Sequence, residues 1–189
     1  MLNRDKLDAI LISLGKNLSK PCRITVVGSA ASMIWGQDGR QTPDIDVWRP
    51  TSEFDEEDLR NACYATGILF NPTGNVEHGD VYIQILRPGI VEFPGPFERT
   101  LLGQYGNLAV DMPPAEMIVA SKLVRCNSRD IEDVMWWMAN ANLSKADVEA
   151  AINLIPGKVE RESALENLVL IDIQMPRTDD PERDDSLEP

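Results

Sequence analysis

Residues 44–48 read DIDVW, and the spacing of the two aspartates limits the folds open to the chain more than any other feature. In a strand, residues i and i+2 share a face, so Asp44 and Asp46 stand side by side on one surface while Ile45 and Val47 enter the core on the other. The sheet that holds them therefore needs one buried face and one face where two carboxylates meet water, a hydrogen-bond donor or a cation, because an unpaired buried carboxylate is costly. Two readings fit the pair. One is a capping aspartate followed by an edge-strand acid. The other is a ligand pair for Mg²⁺, which takes oxygen donors and typically uses one or two carboxylates plus waters and substrate phosphates.

The residues before the pair favour the second reading. CRITVV (22–27) is a β-branched run that predicts a central strand, and GSAASMIWG then turns into a short helix with Gly28 and Ser29 at its mouth and Gly36 as its stop. Backbone N–H groups at such a strand-to-helix junction approach a phosphate closely, and Ser29 adds a hydroxyl donor. A Gly-Ser junction, a short helix and a strand carrying two acids are together what a site for a triphosphate and its magnesium requires.

Elsewhere the pattern divides the chain. An amphipathic helix is expected in the first twenty residues, with Leu7, Ile10, Leu11 and Leu14 at helical spacing, and TSEFDEEDLRNACYATG, which opens with candidate caps and acids in its first turn, predicts another helix ending near Gly67. VYIQIL (81–86) alternates as a strand with Tyr82, Gln84 and Leu86 on one face. RPGIVEFPGPF is too rich in Pro and Gly for a regular element, and NLAVDM is a further short strand. From Pro114 the period changes to helical: PAEMIVASKLVRC, then a helix with Ser128 as N-cap, then SKADVEAAINLIPG with Ser144 and Asp147 as a capping box. ESALENLVLIDIQ docks as helix or strand. The organisation expected is an α/β core over 1–112, a helical part over 113–173 packed on it, and a flexible acidic tail over 174–189.

Composition removes several function classes. Cys22, Cys63 and Cys126 are too scattered for a zinc site or a disulfide framework, and the single histidine, His78, sits in a polar turn-rich stretch, which argues against a His-dependent hydrolase. No apolar run reaches the roughly 18 residues a membrane helix needs, and the N-terminal helix is broken by charge unlike a signal peptide, so no membrane association and a cytoplasmic location are expected. The net charge of −13, of which −4 falls on residues 176–189, disfavours long duplex DNA as a partner.

VVGSAASMIWG followed by RQTPDIDV resembles the Gly-Ser and Asp-x-Asp signature of nucleotidyltransferases of the DNA polymerase beta superfamily, in the small bacterial branch that includes AbiEii-like toxins of toxin and antitoxin pairs. Arg40 and Thr42 lead into the acids as they often do in that branch, and SKLVRCNSRDIEDV is similar to its second signature, a helical lysine followed by Arg-Asp-x-x-Asp. The resemblance spans residues 20 to 140. It implies an α+β fold, a small mixed sheet flanked by helices and followed by a helical segment. It also implies a Mg²⁺-dependent enzyme, with Mn²⁺ as a substitute, that moves a nucleoside monophosphate from an NTP to a hydroxyl of RNA, such as tRNA, or of a protein, with a cognate toxin or antitoxin as partner.

On that resemblance Asp44 and Asp46 are the metal ligands and, with Lys122, the catalytic residues. Gly28, Ser29, Arg40, Thr42, Lys122 and Arg125 contact the nucleotide, and Arg129, Asp130 and Asp133 complete or brace the site. Lys122 and Arg125, i and i+3 on one helix face, are expected to face the acids across a cleft and to tolerate replacement by Ala without unfolding. One position departs from the family. Its third carboxylate, on a strand beside the acid pair, matches Gln84, which cannot take a proton; Glu77, Asp80 or Glu92 stand as replacements from loops. That departure supports an alternative in which the chain keeps the fold and acts by binding a partner.

Overall fold

Strand period and helix period take turns along the chain. The computed structural model describes residues 1–174, and the expected acidic tail lies outside the described residues from 175 onward. Helix α1 (Arg4–Asn17) starts on Asn3, whose side chain accepts from the Lys6 N–H, and buries Leu7, Leu11 and Leu14 as its spacing requires. Then come β1 (Cys22–Val27), α2 (Gly28–Trp35), β2 (Asp44–Trp48) and, after a 3₁₀ turn, α3 (Glu56–Thr66). Asp55 caps α3, three acids fill its first turn where the helix dipole favours them, and Gly67 closes it in the left-handed region. The strands β3 (Leu69–Phe70), β4 (Tyr82–Leu86), β5 (Thr100–Tyr105) and β6 (Leu108–Met112) follow.

The six strands form one mixed sheet in the order β3-β4-β2-β1-β6-β5. β1 and β2 are antiparallel, with Val27 opposite Asp46, whereas β2 and β4 are parallel, with Asp44 opposite Tyr82 and Asp46 opposite Gln84. Because the pleats of neighbouring strands align, Ile24, Val26, Ile45, Val47, Ile83 and Ile85 are all 5% exposed or less. They join Leu7, Leu11 and Leu14 of α1 and Leu59 of α3 in one core. The alternate residues, Val27, Asp44, Asp46, Tyr82 and Gln84, occupy the other face. The fold class is α+β, as expected.

Past Pro114 the chain is helical: α4 (Ala115–Arg125), α5 (Ser128–Asn140), α6 (Lys145–Ile152) and α7 (Lys158–Gln174). α4 is the hub, packed against the other three, and α5 also touches α2. The Ser144–Asp147 capping box forms as read, and ESALENLVLIDIQ is helix. Three details differ from expectation. The N-cap of α5 is Asn127, whose side chain accepts from the Arg129 and Asp130 N–H groups, not Ser128. β4 begins at Tyr82, one residue late. Strands β3 and β5 gave no readable signal: β3 has two residues, and TLLGQY lacks alternation and carries Gly103 at a register shift.

Candidate active site

Gly28 sets the geometry at the centre of the site. Its φ of +67° suits a residue without a side chain, and a Cβ built there would lie 2.7 Å from Asp46 Oδ2. The strand-to-helix junction is thus pressed directly against the second acid. Gly28, Ser29, Thr42, Asp44 and Asp46 line one side of a cavity of about 250 Å³, and Arg40, Lys122, Arg125, Arg129 and Asp130 line the rest. Ten of the twelve residues singled out from the sequence therefore meet around one space. A larger depression of about 380 Å³ lies elsewhere, over Cys22, Arg23, Glu53, Gln104 and Asn107; it has no carboxylate pair and no strand-to-helix junction, so the chemistry points to the smaller one.

On the β2 side, Asp44 is held in place. The Thr42 hydroxyl donates to its Oδ1 at 2.5 Å and the Tyr82 hydroxyl to its Oδ2 at 3.3 Å. Among the described residues no hydrogen bond reaches the Asp46 carboxylate. Burial, with the neighbouring charge of Asp44, pushes the Asp46 carboxyl up to about 7, and Lys122 and Arg125 only partly oppose this. The Tyr82 phenol is also raised, first by burial and then by Asp44. These two acids are hard oxygen donors under mutual repulsion, and a divalent cation between them would relieve both causes of the shift. The residues fit magnesium on that ground.

On the opposite side the charges are already paired. Lys122 is 5% exposed, and its ammonium donates to Asp133 Oδ2 at 2.6 Å with Asp130 Oδ1 at 3.5 Å. Arg40 Nη2 donates both to Asp133 Oδ2, at 2.8 Å, and to Ser29 Oγ, at 2.9 Å. Arg125 donates to Asp130 Oδ1 at 3.1 Å, yet its side chain is 62% exposed. Asp133 is fully buried and stands behind the cavity as the anchor of Lys122 and Arg40, so its part is to position cations. Lys122 is correspondingly a buried ion-pair partner whose removal would strand buried carboxylates, which tells against the expectation that Lys122 and Arg125 tolerate replacement by Ala without unfolding. Trp137, i+4 from Asp133, is fully buried and Trp136 packs edge-on against it at 5.0 Å.

Gln84 lies beside Asp46 in the sheet and on the same face, but its amide does not line the cavity: Nε2 donates to Asn71 Oδ1 at 3.2 Å. Glu77, Asp80 and Glu92 do not line it either. Sequence reasoning missed Tyr82 and Asn71. Tyr82 shares its strand face with Gln84, so a signal existed, but its pairing with Asp44 depends on the β2–β4 register.

A mixed sheet that sets a Gly-Ser junction and an Asp-x-Asp strand against a basic helix defines a nucleotidyltransferase-type protein. The chain belongs to a family described as nucleotidyltransferase of unknown function (DUF6036), whose model matches residues 6–155. Among curated proteins and among solved structures, none matches.

Proposed function

We propose that the chain transfers a nucleoside monophosphate from an NTP to a hydroxyl on RNA or on a protein. The observation that supports this is the single cavity in which Gly28, Ser29, Asp44 and Asp46 face Lys122, Arg125 and Arg129. Asp44 and Asp46 would hold Mg²⁺ or Mn²⁺, which when bound neutralises and orients phosphate oxygens. The chain's own groups do the rest. The start of α2 and the Ser29 hydroxyl bind phosphate oxygens, Arg125 and Arg129 reach in from the rim, and Lys122, fixed by Asp133, opposes the charge that grows on the departing pyrophosphate. A cytoplasmic setting and a partner from a toxin and antitoxin pair belong to the same proposal; among the described residues no helix is long and apolar enough to cross a membrane.

A second reading, a fold retained for binding a partner protein, is favoured by the Gln84 amide being tied to Asn71. One experiment separates the two. The purified chain is incubated with each labelled NTP, Mg²⁺ and cell extract; transfer of label to RNA or protein supports the enzyme. No label with any NTP, together with tight capture of a protein partner, supports the binding module.

A further inference from the structure

We infer that the site takes one divalent cation per chain, and takes it together with the nucleotide and not as a resident ion; the inference rests on the nucleotidyltransferase reading. The donor count carries it. Each Asp44 oxygen already accepts one hydroxyl, from Thr42 or from Tyr82, so Asp44 offers the lone pairs left over. Asp46 is the one carboxylate on this side with both oxygens open. The residue registered beside it, Gln84, is turned away by a clamp: Asn71 Oδ1 accepts both Gln84 Nε2 and, at 3.0 Å, the Ile85 N–H. Asn71 is itself fixed by its N–H donating to the Ile83 carbonyl at 2.7 Å, with φ of 42°. Asp130 lines the far side, but Lys122 and Arg125 hold its Oδ1.

Sites for two ions about 3.5–4 Å apart need ligands for each ion beyond those they share. Asp44 and Asp46 are the two carboxylates that stand together, since Asp130 has its Oδ1 paired with Lys122 and Arg125 and its Oδ2 buried, and among the described residues no group of three or more His, Cys, Asp or Glu side chains is arranged around a metal position. The cavity is also lined by Arg40, Lys122, Arg125 and Arg129, which repel a second ion and themselves meet the phosphate charge. Magnesium typically keeps waters and uses one or two carboxylates with substrate phosphates. In this site the phosphates complete the shell, so the ion and the nucleotide arrive together.

The test counts Mn²⁺ by electron paramagnetic resonance and nucleotide by equilibrium dialysis, using the intact chain and the α,β-methylene analogues of the four NTPs. The expected result is no uptake of Mn²⁺ offered alone, and one Mn²⁺ per chain once an analogue is bound. Gln84→Glu places a carboxylate against Asn71 Oδ1, which repels it toward Asp46; this variant is expected to bind Mn²⁺ without nucleotide, about tenfold or more tighter than the wild type, as added ligand charge dictates. Two ions per nucleotide-bound wild-type chain, or tight uptake of Mn²⁺ alone, overturns the inference and leaves the enzyme reading standing. Failure of every analogue to bind overturns both. Should Gln84→Glu not fold, the wild-type stoichiometry decides by itself.

Discussion

The two sides of the cavity treat their charges in opposite ways. On β2 two carboxylates of like sign stand side by side, half-buried, with hydroxyls but no cation in direct contact, and one of them is driven up to about 7. On α4 and α5 the charges are more deeply buried, Lys122 at 5%, Asp130 at 3% and Asp133 at 0% exposure, yet opposite signs interleave within 2.6–3.5 Å. Burial alone therefore does not make a charge available. The β2 side is left with an unmet need for a cation, whereas the helical side satisfies itself and lends its cations only in part, through Lys122 from within and the exposed arm of Arg125.

The contrast makes Asp46 the most consequential position. On the proposed function, Asp46→Asn is expected to lower transfer by about 10³-fold or more, through loss of the metal ligand proposed for that position, while raising stability at high pH. The sign follows from the pKa. A carboxyl raised to about 7 in the folded chain, against 3.8 ordinarily, favours folding when protonated. That contribution is full below pH 4 and is lost as pH rises through 7. Thermal unfolding of the nucleotide-free chain should show the variant melting above the wild type at pH 8 and the two converging near pH 4; an equal gap at both would mean that Asp46 is not the strained group.

Lys122→Ala should break the other side. With buried Asp133 and Asp130 losing their shared ammonium, about 3–5 kcal/mol of stability is expected to go, measurable by denaturant titration, with Arg40 keeping some compensation for Asp133. A loss under 1 kcal/mol would place Lys122 with the exposed cations. Gly28→Ala follows, at about 1–3 kcal/mol from the positive φ, and the same titration should show it; because the new methyl pushes on Asp46, nucleotide affinity should fall as well. Arg125→Ala is the mildest. It should leave stability within about 0.5 kcal/mol, as exposed ion pairs do, and weaken NTP binding by about tenfold, as loss of one charged hydrogen bond does. Unchanged affinity would assign Arg125 to an ordinary solvated surface.

Much of this arrangement was legible in one dimension. Strand period put Asp44 and Asp46 on one face and Ile45 and Val47 on the other, and the Gly28–Ser29 junction announced itself by composition. The capping box at Ser144 and the helical spacing of Lys122 and Arg125 were equally local. The strands β3 and β5 were not, since a two-residue strand and a glycine-interrupted one are held by their neighbours and not by their own propensity.

What the sequence determined by itself was the set of side chains that share a face, because periodicity within an element depends only on backbone geometry. What tertiary structure decided was which faces meet and which charges cancel. Whether Lys122 serves a ligand or a buried aspartate, whether Gln84 turns toward Asp46 or toward Asn71, and whether Tyr82 touches Asp44 all depend on strand register and on the packing of α4 against α5. Coulomb and hydrogen-bond energies change steeply over the few ångströms that such packing sets, and no spacing along the chain encodes those distances.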